Sequence, residues 1–223
     1  ITGQPIQEFL PKGPDAERIL EAMQISTKVF ADHPVNQTRI NRRLKPATSI
    51  WPWSGGKRPE MRSFHEITGL SGGIISAVDL LNGIGTYAGM EIIKVPGATG
   101  FIDTDYQAKA RYAVKALKRL DFLFIHVEAP DEAGHMGSLE EKIKAIERVD
   151  EMIGTIMNDF DGRIAVLPDH PTPIRIRTHT AEPVPFAILG RDTDSTCRFS
   201  EKEGARGMYG LIQGTGLLPL ILS

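Results

Sequence analysis

The stretch that decides the fold runs from Asp121 to Met157, DFLFIHVEAPDEAGHMGSLEEKIKAIERVDEMIGTIM. Its opening, Phe122 to Val127, is a continuous apolar run interrupted only by His126, which reads as a buried strand. Its last third places Ile143, Ile146, Val149, Ile153, Ile156 and Met157 at helical spacing, a single apolar stripe. Ser138-Leu139-Glu140-Glu141 matches a capping box, in which the hydroxyl and the carboxylate satisfy orphan amides at the helix start. Between strand and helix lie His126, Glu128, Asp131, Glu132 and His135, a concentration of polar groups where a buried strand ends.

Outward from this stretch, short apolar runs alternate with longer helical patterns. Asp15 to Phe30 reads as a helix that Pro34 and Asn36 break. Ser49 to Trp53 reads as a short strand, held to an edge by Pro52. Ile74 to Leu81 reads as a buried helix, Glu91 to Val95 as a strand, and Asp105 to Leu120 as a helix with Ala110, Ala113, Val114 and Leu117 on one face. Arg163 to Leu167 and Val184 to Leu189 read as two further strands. Strands alternating with helices predict an α/β fold with a mostly parallel sheet and helices on both faces. Ligands of such folds bind beyond the carboxyl ends of the strands.

Composition narrows the class. The chain has 223 residues, 41% hydrophobic and 24% charged, with a formal net charge of -2. That balance advertises neither a nucleic-acid nor a membrane surface. No apolar run approaches the roughly 18 residues that span a bilayer, and no charged-then-apolar leader opens the chain. The single cysteine, Cys197, excludes an internal disulfide and fits a reducing, cytoplasmic setting. Nothing in the sequence specifies an oligomeric state. The chain opens on Ile1, and ITGQPIQEF reads like the interior of a protein, so a processed or truncated product is expected.

Asp131-x-x-x-His135 has i, i+4 spacing, which one helical turn brings to one face. Asp169-His170 follows the strand Arg163 to Leu167, and His179 precedes the strand Val184 to Leu189. A carboxylate and imidazoles converging from strand ends can hold a divalent metal. Singly, each element also fits a solvated turn or a capping histidine; their conjunction is what raises the metal reading. His126 interrupts a buried strand and reads either as support behind the metal site or as a satisfied core histidine. Gly83-Ile84-Gly85-Thr86-Tyr87-Ala88 matches a dinucleotide fingerprint, but a helix precedes it and a strand follows, the reverse of what that motif requires.

The segments GGIISAVDLLNGIGTYAGMEIIKVPGATGFIDTDYQAKA, HVEAPDEAGHMGSLEEKIKAIERVD and LPDHPTPIRIRTHTAEPVPFAILG, with ITGQPI, DHPVN and WPWSGGKRP, resemble archaeal-type cofactor-independent phosphoglycerate mutases of the alkaline phosphatase superfamily. The resemblance covers nearly the whole chain. It implies an alkaline-phosphatase-like domain over residues 65–223 with its N-terminal part missing, and the remainder of an inserted substrate domain over residues 1–64. It implies interconversion of 3-phosphoglycerate and 2-phosphoglycerate through a phosphoserine, without bisphosphoglycerate. Two divalent metals are implied, manganese first, with zinc, cobalt or magnesium as alternatives. Asp131, His135 and His179 would hold one; Asp169 and His170 would contribute to the second. Lys57, Arg58 and Arg39 fall at family-like basic positions for substrate, a solvated surface cation being the competing reading of each. The family's early aspartate and nucleophilic serine have no counterpart here, so the catalytic nucleophile is unknown in this chain. Ser71, Ser76 and Ser138 match no nucleophile motif. Two other readings stand beside this one: another phosphomutase or phosphomonoesterase of the superfamily, and a non-catalytic metal-binding remnant.

Overall fold

The computed structural model describes residues 5–53 and 55–223. It divides into two compact units, one ending at Pro59 and one running from Glu60 to Ser223. Ile1, on which the expectation of an interior start rests, and Ser54 of the WPWSGGKRP segment lie outside the described residues.

The first unit holds α1 (Ala16–Ala31) and α2 (Pro34–Asn41). The helix expected over Asp15 to Phe30 is therefore present. Pro34 does more than end it: the residue sits in the first turn of α2, where its missing N–H leaves no bond unmade. The His33 ring caps that turn by accepting the Val35 amide at 3.3 Å. Asn36, buried in α2, donates to the carbonyls of Phe30 and Ala47 at 2.8 and 2.7 Å and accepts the Ala47 amide at 2.9 Å. The Ile50 amide donates to Ser26 Oγ at 3.0 Å. Side chains thus do for this segment what a neighbouring strand would do. Ser49 to Trp53, expected as an edge strand, has no regular structure.

The second unit begins with α3 (Phe64–Thr68), followed by β1 (Gly72–Ile75), α4 (Asp79–Tyr87), β2 (Glu91–Ile92), α5 (Tyr106–Leu117) and β3 (Phe122–Ile125). Then come α6 (Ala129–Met136), α7 (Leu139–Asp159), β4 (Ile164–Val166), β5 (Ala187–Leu189) and the short α8 (Glu201–Gly204) and α9 (Leu217–Leu222). A parallel sheet in the order β2-β1-β3 forms its centre. The register pairs Gly73 with Glu91 on one side and Gly72 through Ile75 with Phe122 through Ile125 on the other.

The buried helix expected over Ile74 to Leu81 is instead the end of β1 and the start of α4. Ile74 and Ile75 are buried as the middle of a sheet must be, and a short apolar run does not distinguish a core strand from a core helix. The preceding glycines settle it. A side chain at Gly72 or Gly73 would run into Phe64 or Leu120, so the strand is clamped where only glycine fits. β2 is shorter than expected, ending at Ile92.

α5 and α7 pack on each other. Ala110 and Ala113 of α5 are fully buried, and their small side chains let α7 approach with Ala145, Met152 and Ile156. Val114 and Leu117 are only half-buried. The α7 stripe divides likewise: Ile156 is core, whereas Ile143, Ile146 and Met157 are about half exposed. The expected box at Ser138 is half formed. Ser138 Oγ accepts the Glu141 amide, but the Glu141 carboxylate turns to Lys144. The Ser138 amide is already used to close α6 on the Ala133 carbonyl at 3.1 Å. The complete capping box lies at Ser63 and Glu66 instead.

β4 and β5 are antiparallel, with Val166 opposite Ala187. A wholly parallel sheet would send the residues before β5 to the opposite edge from those after β4. The antiparallel pairing instead closes residues 167–186 into one loop at a single end. No helix among the described residues is long and apolar enough to cross a membrane.

Candidate metal centre

α6 begins just after β3, with Pro130 in its first turn, and carries Asp131 and His135 one turn apart. His135 Nε2 lies 3.2 Å from Asp131 Oδ2, as the i, i+4 spacing predicts. The loop between β4 and β5 supplies the remaining groups. His179 Nε2 lies 3.2 Å from Asp131 Oδ1 and 3.1 Å from His135 Nε2. His170 lies against His179 with ring centroids 3.8 Å apart and the rings tilted by 32°. It lies 4.0 Å from Asp131 through Nδ1 and 3.3 Å from Asp169 through Nε2. Asp131, His170 and His179 each place one ligand atom within 4.8 Å of the others. Of the five residues anticipated from strand ends, Asp131, His135, His170 and His179 come together with Asp131 as the hub, whereas Asp169 reaches only its neighbour His170.

The donor set fits a divalent ion. Two imidazole nitrogens and two carboxylate oxygens face one another at 3.1–3.2 Å. Neighbouring ligands around an ion bound at about 2.1 Å lie about 3 Å apart when they meet at right angles. Mixed carboxylate and imidazole donors suit manganese, zinc and their neighbours.

Three residues that sequence reasoning missed hold this geometry. Thr172, buried, donates its hydroxyl to Asp131 Oδ1 and lies 3.3 Å from His170 Nδ1. Its carbonyl accepts Lys142 Nζ of α7 at 2.7 Å. Gly134 lets α6 come down onto that carbonyl, because a Cβ there would stand 2.8 Å from Thr172 Cγ2. A glycine inside a helical pattern, as in A-G-H, is the sequence signal for such close packing. Arg177, with φ 60, presents its carbonyl 2.9 Å from His135 Nδ1.

Behind the cluster, His126 Nε2 lies 3.2 Å from Glu128 Oε2 and its Nδ1 lies 3.5 Å from Ser76 Oγ. Burial pushes the His126 imidazole down, and burial together with Asp131, Asp169 and Glu132 pushes the Glu128 carboxyl up. Lys109 of α5 is buried and donates to the His126 carbonyl at 2.9 Å; burial lowers its ammonium to about 8, against the attraction of Glu128. Glu128, Asp131 and Glu132 themselves form a carboxylate trio.

The basic residues singled out from sequence, Arg39, Lys57 and Arg58, lie in the first compact unit. Arg39 Nε donates to the Lys45 carbonyl at 2.8 Å. The three serines are engaged: Ser71 Oγ donates to Asp121 at 2.6 Å, Ser76 Oγ accepts the Val78 amide, and Ser138 caps α7.

A parallel sheet whose strand β3 leads into Asp131 and His135, met by histidines from the loop of the antiparallel pair β4–β5, is the alkaline-phosphatase-like metalloenzyme architecture. The chain belongs to the Metalloenzyme superfamily, whose family model matches residues 17–223. It is 47% identical over 231 aligned positions to a 2,3-bisphosphoglycerate-independent phosphoglycerate mutase of Methanothrix thermoacetophila, covering all of this chain and 59% of that protein. It is 50% identical to a probable enzyme of that name from Geobacter sulfurreducens, over 93% of this chain and 52% of the relative. Among solved structures, a Pyrococcus horikoshii protein superposes with a TM-score of 0.82 at 33% identity, over 94% of this chain and 57% of that one. A cofactor-independent phosphoglycerate mutase of Thermoplasma acidophilum shares the fold, at a TM-score of 0.58 and 23% identity. The chain thus spans little more than half the length of these relatives.

Proposed function

We propose that this chain is the metal-binding part of a 2,3-bisphosphoglycerate-independent phosphoglycerate mutase, acting in the cytoplasm on a small phosphoglycerate substrate in glycolysis and gluconeogenesis. The observation that carries the reading is the gathering of His135, His170 and His179 around Asp131, in a chain so similar to proteins of that name. Asp131, His135 and His179 would hold one ion and Asp169 and His170 part of a second, with manganese the favoured metal. Bound there, such ions neutralise phosphoryl oxygens and lower the pKa of a hydroxyl nucleophile.

This chain's own residues do the positioning. Thr172 orients the Asp131 carboxylate, and the His126–Glu128 pair supports the strand end that launches α6. Asp169, 71% exposed, has the freedom to turn toward an ion. Residues 1–64 are the remainder of an inserted substrate domain, in which Lys57, Arg58 and Arg39 hold the carboxylate and phosphate of the substrate. The nucleophilic serine is assigned to sequence outside these 223 residues.

The test is a coupled assay on the intact protein with Mn2+ and 3-phosphoglycerate. Formation of 2-phosphoglycerate without added bisphosphoglycerate, and its loss on treatment with EDTA, are expected. Release of inorganic phosphate without isomerisation would favour a phosphomonoesterase. No turnover in a protein that still binds metal would favour a non-catalytic remnant, the reading to which the engaged Ser71, Ser76 and Ser138 lend support.

A further inference from the structure

Arg177 is one of two described non-glycine residues with positive φ, the other being Arg43. A left-handed backbone is disfavoured for a residue that carries a side chain, so the position calls for a structural return. Two contacts supply one. The Arg177 carbonyl lies 2.9 Å from His135 Nδ1, and its guanidinium lies across Gly137, the left-handed residue that ends α6. A Cβ on Gly137 would meet the guanidinium carbon at 2.9 Å. The guanidinium therefore rests on the carboxyl end of α6, where a cation is favoured by the helix dipole. The amides of Ile176 and Arg177 both donate to the Pro173 carbonyl, at 3.0 and 2.9 Å, which winds the turn that makes this possible.

A carbonyl can only accept, so the nitrogen facing it must carry the proton. In the neutral ring that places the lone pair on Nε2, the nitrogen that faces His179 and Asp131; the Asp131 carboxylate, itself an acceptor only, can share that lone pair only through a cation. We propose that Arg177 is a positioning residue: its left-handed backbone aims a carbonyl that fixes the tautomer of His135, so that Nε2 is ready to bind a metal. The side chain lies on the end of α6 and is not what aims the carbonyl. The inference rests on the metal-site reading for its consequence, but not for the tautomer itself.

The experiment uses the intact protein, stripped with chelator, and two variants chosen for their backbone preference. Asn tolerates the left-handed region; a β-branched residue there is strained. Nitrogen-15 NMR of the His135 ring and titration with Mn2+ are read on wild type, Arg177→Asn and Arg177→Val. Wild type should show the Nδ1–H tautomer. Arg177→Asn should keep that tautomer and bind Mn2+ close to wild type, although it lacks the guanidinium. Arg177→Val should mix the tautomers and weaken Mn2+ binding by about 10- to 100-fold, the range for loss of a partner that orients a ligating histidine.

An Nε2–H tautomer in wild type would overturn the proposal without any variant, which matters if Arg177→Val does not fold. Equal weakening in both variants would also overturn it, by assigning the effect to the guanidinium. Wild-type protein that holds the Nδ1–H tautomer but binds no divalent ion would sink the functional reading and leave the tautomer assignment standing.

Discussion

Alanine at Gly134 should reverse the usual effect of filling a helical glycine. In an unobstructed helix the change stabilises by about 1 kcal/mol, because glycine has more backbone freedom to lose. At Gly134 the new Cβ would stand 2.8 Å from Thr172 Cγ2 and 3.0 Å from Thr172 Cβ, closer still to the Thr172 carbonyl oxygen. Ordinary contact begins at 3.4 Å, so α6 and the 171–172 turn must part by about 0.6 Å or more. Overpacking of that kind costs about 1–3 kcal/mol, leaving a net loss of up to about 2 kcal/mol once the helix gain of about 1 kcal/mol is subtracted. The displaced groups are those that hold the site: the Thr172 hydroxyl on Asp131 and the Thr172 carbonyl on Lys142. Urea unfolding of the intact protein should show Gly134→Ala less stable than wild type, with weaker Mn2+ binding. Gly154 of α7 has open space where its Cβ would be, so Gly154→Ala is the internal control and should stabilise by about 1 kcal/mol. If both alanines stabilise alike and Mn2+ affinity is unchanged, the close approach of α6 to Thr172 is not what seats Asp131.

Thr172→Val keeps the shape of the side chain and removes the donor to Asp131. It should cost about 1–2 kcal/mol in urea unfolding and weaken Mn2+ binding by about 10- to 100-fold in calorimetric titration. His135→Ala should abolish Mn2+ binding and turnover while the circular dichroism spectrum stays that of wild type; near-normal turnover would remove His135 from the site. Lys109 gives a pH signature: its ammonium is at about 8 in the fold against 10.5 when free. Between those values the unfolded chain holds the proton that the folded chain has released, so stability from this group rises with pH across that window and is level below it. Urea unfolding at pH 7, 8, 9 and 10 should show wild type gaining on Lys109→Met above pH 8, and parallel curves would refute the buried ammonium.

What sequence could disclose about the site follows from how local each feature is. Asp131 and His135 are one helical turn apart, and β3 is an uninterrupted apolar run, so both are readable from spacing alone. The place of His179 is not. Its position before β5 matches that of Asp169 and His170 after β4 only because β4 and β5 are antiparallel, which no residue pattern in either three-residue strand announces. β1 reads as a helix in sequence because Ile74 and Ile75 carry no period of their own; the information lies in Gly72 and Gly73, whose role depends on Phe64 and Leu120 arriving from elsewhere. Thr172 and Arg177 escaped for the same reason, since their work is done on residues about forty positions away.

Protein groups seat the candidate ligands. Thr172 holds Asp131, the Arg177 carbonyl holds His135, and Lys109 holds the strand end that leads into α6. Each joins the β3–α6 segment to a different part of the second unit: the loop after β4, the turn before His179, and α5. Ligand geometry set in this way belongs to the fold, unlike that of small domains whose metal supplies the folding energy. Metal binding here should therefore raise the unfolding temperature only by mass action on an already folded state, with no gain of helix in circular dichroism when Mn2+ is added. A rise in helical signal on titration would mean that α6, and with it the hub at Asp131, is ordered by the ion and not by its three anchors.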